Sequence, residues 1–140
     1  MFLVTGANGQ LGNCLHQLLG DKAIYVDKDE LDITDAQAVS EFCKKQNFAA
    51  IINCAAYTAV DKAENDEELA RKINADGPAN LAATGIPLVH ISTDYVFDGN
   101  NCRPYNESDT PHPQSAYGRT KLLGEKLVME KASATIIIRT

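Results

Sequence analysis

Short apolar runs, bounded by turn residues, recur along the chain. They lack a strict alternation of apolar and polar positions, which is typical of strands that are covered on both faces. These runs predict strands at 1–5, 23–26, 49–54, 87–92 and 134–139. The pattern therefore favours parallel strands over a sheet with one face in water.

The longer segments between these runs carry apolar residues three and four positions apart, the spacing of amphipathic helices. They predict helices at 10–19, 35–45, 66–83 and 115–131. Pro78 removes a backbone donor inside the third of these, so that helix is expected to bend or divide. Because strand and helix alternate throughout, the pattern predicts the α/β class: a Rossmann-like, doubly wound parallel sheet with helices on both faces.

Composition narrows the classes of partner. The 140 residues, 44% hydrophobic and 23% charged, suit one soluble globular domain. A net charge of −6 without a Lys/Arg-rich run disfavours nucleic acid and anionic membranes as partners. The four cysteines show no C-x-x-C spacing, so neither a zinc site nor a disulfide framework is predicted. A cytoplasmic location is expected, since neither a signal sequence nor a long apolar run is present.

The first strand leads into a glycine-rich turn and a helix. Such loops bind pyrophosphate through backbone N–H groups and the helix dipole, and glycines allow the close approach. A plain strand-to-helix turn is the alternative. The residues expected at a dinucleotide are Gly6, Asn8, Gly9, Gln10, Leu11 and Gly12.

Asp27 ends the second predicted strand, where a carboxylate commonly accepts hydrogen bonds from the adenosine ribose. This favours NADH, but Lys28 follows and is suited to a 2′-phosphate, so NADPH and NADH both stay open. A solvated strand end is the alternative interpretation.

Asp32 precedes the second helix, where its carboxylate would meet an adenine amino group while Ile33 packs on the ring. Thr34 and Gln37 match a capping box, which explains part of this segment by helix initiation alone. Adenine binding and helix initiation therefore both remain as explanations for this segment.

Small residues follow the third predicted strand. Ala55, Ala56 and Thr58 would let the ribose and phosphates of a cofactor lie against the backbone, with tight helix–sheet packing as the alternative. Cys54 is interpreted as a small buried hydrophobe. Lys62 either reaches a substrate phosphate or belongs to a solvated helix face.

Tyr117 and Lys121 stand four residues apart on a predicted helix, so their side chains share one face. An ammonium beside the phenol would lower the tyrosine pKa from about 10 and make proton exchange useful at neutral pH. Thr93, after the fourth strand, would hydrogen-bond the substrate carbonyl, and Lys121 would also hold the nicotinamide ribose. Joined to the glycine loop, this set predicts hydride transfer from a nicotinamide cofactor to a carbonyl.

These motifs resemble those of the extended short-chain dehydrogenase/reductase superfamily and, within it, the dTDP-4-dehydrorhamnose reductases. The resemblance rests on the segments 5–12, 31–35, 56–64, 92–99 and 117–125. It implies reduction of the 4-keto group of dTDP-4-dehydro-L-rhamnose to dTDP-L-rhamnose, in rhamnose precursor biosynthesis, with NADPH or NADH. The nucleotide sugar would be the partner.

The resemblance also implies residue roles. Thr93, Tyr117 and Lys121 become catalytic, and Asn74 supports the lysine through the backbone, with a plain helix-surface asparagine as the alternative. The implied cofactor contacts are Gly6, Gly9, Gly12, Asp32, Ile33, Ala55, Ala56 and Thr58. The implied neighbours of the sugar are Tyr95, Val96 and Phe97.

The sequence departs from the family pattern in two ways. Family members are considerably longer, and the final run 134–139 reads as a core strand without a polar tail, so 1–140 is interpreted as the NAD(P)-binding domain with the substrate region missing. Turnover by this chain alone is therefore not expected. Some members hold magnesium through a glutamate where Cys14 stands here, so no metal site is predicted.

Two other functions remain open. One is a non-catalytic NAD(P)-binding regulatory subunit, and the other is a different nucleotide-sugar reductase or epimerase on the same scaffold. The intact set of Thr93, Tyr117 and Lys121 favours catalysis. The oligomeric state also stays open, with a homodimer among the alternatives.

Overall fold

The structure, a computed structural model, describes residues 1–140. All five predicted strands form, each within its predicted run and four of them shorter by a residue or two at the ends. Their bounds are β1 Phe2–Thr5, β2 Ala23–Val26, β3 Ala50–Asn53, β4 Leu88–Ser92 and β5 Thr135–Arg139.

The strands form one parallel sheet in the order β2-β1-β3-β4-β5. The chain moves outward from β1 to β2, then returns to place β3 on the other side of β1. This reversal is a topological switch point, where the carboxyl ends of two adjacent strands leave a crevice for a ligand. The predicted α/β fold class is confirmed.

Six α-helices connect or cover the strands. Their bounds are α1 Gln10–Leu19, α2 Ala36–Lys44, α3 Val60–Ala63, α4 Glu67–Arg71, α5 Gly77–Ala82 and α6 Ala116–Lys131. The short α3 lies in a segment for which no separate helix was predicted. None of the helices combines the length and the apolar composition needed to cross a membrane.

The cap predicted for the second helix is wrong. Asp35, not Thr34, is the N-cap of α2, and its carboxylate accepts hydrogen bonds from the N–H groups of Gln37 and Ala38. The Thr34 hydroxyl instead donates to Asp32 at 2.7 Å. Asp and Thr are both good capping residues, so a one-residue shift of the helix start decides between them.

The bend predicted near Pro78 takes a different form. Helical geometry continues from α4 to α5 through a π-helical turn, Lys72–Asp76, in which the Gly77 N–H donates to the carbonyl five residues back. A π-turn accommodates a proline that cannot bond to the carbonyl four residues before it, here that of Asn74. That carbonyl faces Gly124 of α6, where a Cβ would overlap it. The two helices can therefore pack closely.

Within residues 1–140, β5 is the last strand in the sheet order. Ile137 packs against the main core, and its neighbours Ile136 and Ile138 are 62% and 42% exposed. The main core consists of residues from the sheet and from α2, α5 and α6, namely Leu3, Val26, Leu31, Ile33, Val39, Cys43, Ile51, Leu81, Ala82, Leu88 and Val128.

Candidate functional site

The glycine loop packs closely against the end of β3. Gly6 has φ +69°, and a Cβ there would lie 2.5 Å from the Ala55 nitrogen. A Cβ on Gly12 would overlap the carbonyl oxygens of Gly6 and Ala7. The loop conformation therefore requires glycine at both positions.

The first turn of α1 follows this loop and offers free donors. Its N-cap is Gly9, no side chain caps the turn, and no acidic residue lies in it. An uncapped helix start presents backbone N–H groups and the positive end of the helix dipole. This arrangement suits an anion such as a pyrophosphate.

Asp27 holds the loop at the end of β2. Its carboxylate accepts hydrogen bonds from the Asn8 N–H at 2.9 Å and the Lys28 N–H at 2.8 Å. The Asn8 amide is therefore directed at Asp27. Asp27 also lines the cleft described next, so a ribose hydroxyl would share a carboxylate that already accepts two donors.

A cleft of about 850 Å³ lies over the carboxyl ends of the strands. It brings together most of the residues predicted for cofactor binding, although Asn8, Asp32 and Ile33 do not line it. The predicted residues in the cleft are Gly6, Gly9, Gln10, Leu11, Gly12, Asp27, Ala55, Ala56, Thr58, Tyr117 and Lys121. Cys14 and Cys54 also line it, and Lys62 is exposed on α3 without lining it.

A smaller cavity of about 110 Å³ shares Gly6, Asp27 and Ala55 with the cleft. Asp32 and Ile33 line it, as do residues of the α4 region. Hydrogen bonds from the Thr34 side chain and backbone hold the pKa of Asp32 below its usual range. Asp32 thus has a local structural role as an acceptor for Thr34, in line with the alternative interpretation of this segment.

Lys121 reaches the cleft from α6. Its side chain is almost fully buried, and its Nζ donates to the Ile91 carbonyl at 2.6 Å. Burial lowers its pKa from 10.5 to about 8, while the charge of Glu125 acts in the opposite direction. The amine is therefore mostly an ammonium at neutral pH and loses its proton in mildly alkaline solution.

Tyr117 lies one turn earlier on α6, beyond the N-cap Ser115. Burial raises its pKa, and the nearby Thr93 hydroxyl, which accepts from the Tyr95 N–H at 3.2 Å, opposes that effect. The predicted lowering of the phenol pKa by Lys121 is not found, because burial has the largest effect and Lys121 is not among the groups that shift this pKa. The phenol therefore keeps its proton at neutral pH.

The three residues predicted to border the sugar are placed differently from one another. Tyr95 is half exposed and its ring meets that of Tyr117 edge-on at 5.5 Å. Val96 is completely buried, so the structure does not bring its side chain to the cleft. Phe97 is also buried and stacks on Tyr105 at 4.2 Å, beside a separate cleft of about 760 Å³.

Comparison with known proteins identifies the family. The sequence profile described as RmlD substrate binding domain matches residues 1–140. The chain belongs to this family. It is 44% identical to a dTDP-4-dehydrorhamnose reductase of Streptomyces griseus, over 99% of this chain and 48% of that protein. The resemblance inferred from the motifs is thereby confirmed.

Solved structures of RmlD-family relatives agree with this fold. A dTDP-4-dehydrorhamnose reductase of Clostridium acetobutylicum matches with a TM-score of 0.95 and 49% identity, over 99% of this chain and 52% of that one. The Bacillus anthracis dTDP-4-dehydrorhamnose reductase, solved in complex with NADP, matches with a TM-score of 0.94 and 41% identity, with the same coverage. The chain spans about half the length of the relatives it matches.

In this RmlD-family chain, Asn74 has a role that the sequence only partly indicated. The residue is completely buried, so the helix-surface alternative is wrong. Its side chain accepts from the Tyr57 N–H at 2.8 Å and donates to the Thr120 hydroxyl at 3.1 Å. Asn74 thus joins the loop after β3 to the helix position next to Lys121, through its side chain.

Sequence reasoning missed a polar row across three strand ends. Thr5 pairs in register with Asn53, and Asn53 with His90. The Asn53 amide accepts from the Thr5 hydroxyl at 2.7 Å and from the Ala55 N–H at 3.1 Å, and it contacts the His90 Nδ1 at 3.0 Å. Burial, with Lys121 nearby, lowers the His90 pKa to about 3, so the ring is neutral. A polar residue near the end of the first, third and fourth apolar runs was the available signal.

Proposed function

We propose that residues 1–140 are the NAD(P)-binding Rossmann domain of a reductase. The proposed reaction reduces the 4-keto group of dTDP-4-dehydro-L-rhamnose to dTDP-L-rhamnose with NADPH or NADH. One observation carries the proposal: a single cleft joins the glycine loop to Tyr117 and Lys121. Family membership and the names of the relatives support the choice of substrate.

The residues present fit a dinucleotide. Gly6 and Gly12 leave no room for a Cβ beside the loop backbone, and the uncapped first turn of α1 would bind the pyrophosphate. Ala55, Ala56 and Thr58 line the cleft between this turn and the catalytic helix. When bound, the reduced nicotinamide supplies the hydride.

The chain's own residues supply the proton. Because burial raises the pKa of Tyr117, its hydroxyl holds a proton at neutral pH and can donate it to the carbonyl oxygen as negative charge develops there. Thr93 is buried, and its hydroxyl lies close enough to affect that phenol, so it would stabilise the same oxygen. The Lys121 ammonium, which lines the same cleft, would hold the nicotinamide ribose. Tyr95, exposed beside Tyr117, is the proposed neighbour of the sugar.

At the adenosine end of the site, the charged residues are compatible with either NADH or NADPH. Asp27 would accept from a ribose hydroxyl, whereas Lys28 and Lys72, which line the smaller cavity, would attract a 2′-phosphate. Asp32 and Ile33 in that cavity are the proposed adenine contacts. Either cofactor is therefore compatible with the charges near the site.

Cofactor binding is the decisive measurement. NADPH and NADH are titrated separately into the wild-type chain, into Tyr117→Phe and into Tyr25→Phe, with cofactor fluorescence as the readout. Tyr25 is a matched control because its hydroxyl bonds to the Gly20 carbonyl, away from the cleft. We expect at least one cofactor to bind all three proteins with similar affinity.

Turnover is measured with the keto sugar by cofactor oxidation, in this chain and in a version extended to the length of the relatives. Tyr117→Phe should lower turnover by about 100-fold or more, the contribution of a general acid, while Tyr25→Phe should not. Binding without turnover in the extended protein would favour the regulatory subunit. Failure to bind either cofactor, or full activity of Tyr117→Phe, would contradict the proposal.

A further inference from the structure

Two buried charged side chains lie one turn apart on α6, Lys121 and Glu125, which are 2% and 3% exposed. The Lys121 Nζ donates to the Ile91 carbonyl at 2.6 Å, and the Ser92 hydroxyl donates to the Glu125 carboxylate at 2.6 Å. Ile91 and Ser92 are consecutive residues at the end of β4. The pair therefore forms two adjacent bonds between α6 and the strand that leads to Thr93.

Glu125 has a further partner on β5. Arg139 donates to both of its carboxylate oxygens, from Nε at 2.9 Å and from Nη2 at 2.6 Å. The Arg139 guanidinium also lies over the Phe97 ring, 5.1 Å from its centre. Glu125 thus joins α6, β4 and β5 at the carboxyl ends of the strands. A buried ion pair adds little net stability, because the cost of desolvation offsets the attraction. Stability alone therefore does not explain why Glu125 and Arg139 are paired here.

Three titratable groups near Lys121 are neutral at neutral pH. Burial raises the pKa of Tyr117 on the same helix and raises the pKa of Cys54, after β3, to about 11. Burial lowers the pKa of His90 on β4 to about 3. The carboxylate of Glu125, which forms an ion pair with Arg139, is the first of the influences that oppose the effect of burial on the Lys121 pKa.

We propose that Glu125 is a positioning residue for the reaction site, whose carboxylate keeps the buried Lys121 in its ammonium form and whose bonds to Ser92 and Arg139 fix the strand ends beside it. Glu125 does not line the cofactor cleft, although it lines the separate cleft beside Phe97, so it would affect a bound cofactor through Lys121. The inference rests on the proposed function, because it concerns the lysine assigned there to the cofactor.

The direct test is the titration of Lys121 by NMR in protein carrying ¹³C-labelled lysine, with the resonance assigned by its absence in Lys121→Met. Glu125→Gln keeps an acceptor for Ser92 and removes the charge, so the Lys121 pKa should fall by about 1 pH unit, the lower end of what a nearby opposite charge produces. Arg139→Gln leaves the carboxylate without its cation, so the Lys121 pKa should rise. Glu130→Gln, an exposed glutamate on the same helix, should leave it unchanged.

Glu125→Gln and Arg139→Gln break the same ion pair but should shift the Lys121 pKa in opposite directions. A loss of packing would act in the same way in both variants, so the two signs distinguish an effect of charge from an effect of packing. An unchanged Lys121 pKa in Glu125→Gln, or shifts of the same sign in the two variants, would overturn the proposal. If Glu125→Gln does not fold, the sign of the shift in Arg139→Gln decides alone.

The pH dependence of NADPH binding is a second readout of the Lys121 charge. The affinity for NADPH should fall as pH rises through the Lys121 pKa, and in Glu125→Gln this fall should come about 1 pH unit lower. Binding curves with the same pH dependence in the two proteins would also overturn the proposal. If the wild type binds no cofactor, the proposed function fails, while the NMR shifts still test the link between Glu125 and Lys121.

Discussion

Replacing Lys121 by methionine should reveal what the protein loses in stability by burying an ammonium. Burial lowers the Lys121 pKa from 10.5 to about 8. Between these values the unfolded chain binds a proton that the native chain has released, so the free energy of unfolding rises with pH. Each pH unit is worth about 1.4 kcal/mol, so the rise amounts to about 3 kcal/mol in total. Below about pH 8 both states are protonated and the full cost remains.

Lys121→Met keeps most of the buried stem and cannot titrate, so it should lack this rise. The assay is urea-induced unfolding, followed by circular dichroism at several pH values from about 7 to 10.5, in the presence of a thiol reductant. Relative to wild type, Lys121→Met should be more stable at pH 7 than at pH 10.5 by about 3 kcal/mol. Lys126→Met, which removes an exposed lysine from the same helix, is the control and should follow the wild-type curve. Parallel curves for Lys121→Met and wild type would refute the reasoning.

Three further predictions concern the framework of the site, each measured as the free energy of unfolding. Gly124→Ala should destabilise by about 1–3 kcal/mol, because the new Cβ would overlap the Asn74 carbonyl, and no loss would mean that the helices can separate at no cost. Ser115→Ala should cost about 1 kcal/mol, since the Ser115 hydroxyl accepts from the Gly118 N–H as the cap of α6, and a neutral result would contradict that role. Leu81→Ala should cost about 2–5 kcal/mol, because Leu81 is fully buried in the core, and a smaller loss would show that the core closes around the cavity.

Features that depend on a few neighbouring residues could be predicted from the sequence. The five apolar runs became the five strands, and α1 has the predicted bounds. The bend at Pro78 was predicted from the missing amide, but its form was not. The Asn74 carbonyl, which Pro78 cannot bond, lies against Gly124 of α6, where a Cβ would overlap it. That contact joins residues that are distant in the chain.

The residues of the cleft also divide into those that a short stretch of sequence predicts and those that depend on distant contacts. The glycine loop is local and could be recognised in the sequence, whereas the Asn74 bond to Thr120 spans 46 residues and the Asn53 contact with His90 spans 37. The strand order β2-β1-β3-β4-β5 could not be predicted from the apolar runs either, because strand pairing joins residues that are far apart in the chain. Long-range pairs of this kind leave no periodic pattern in the sequence.

The sequence by itself determined the alternation of strand and helix, the start of α1 and the identity of the tyrosine and lysine on α6, because backbone propensity and helical spacing act over a few residues. The tertiary structure alone decided the protonation of those two side chains. Desolvation depends on which elements cover a group, and β4, with Glu125 bonded to its end, surrounds Lys121 in a way that no local pattern records. For the same reason the pKa of the Tyr117 phenol is raised, not lowered as the spacing suggested.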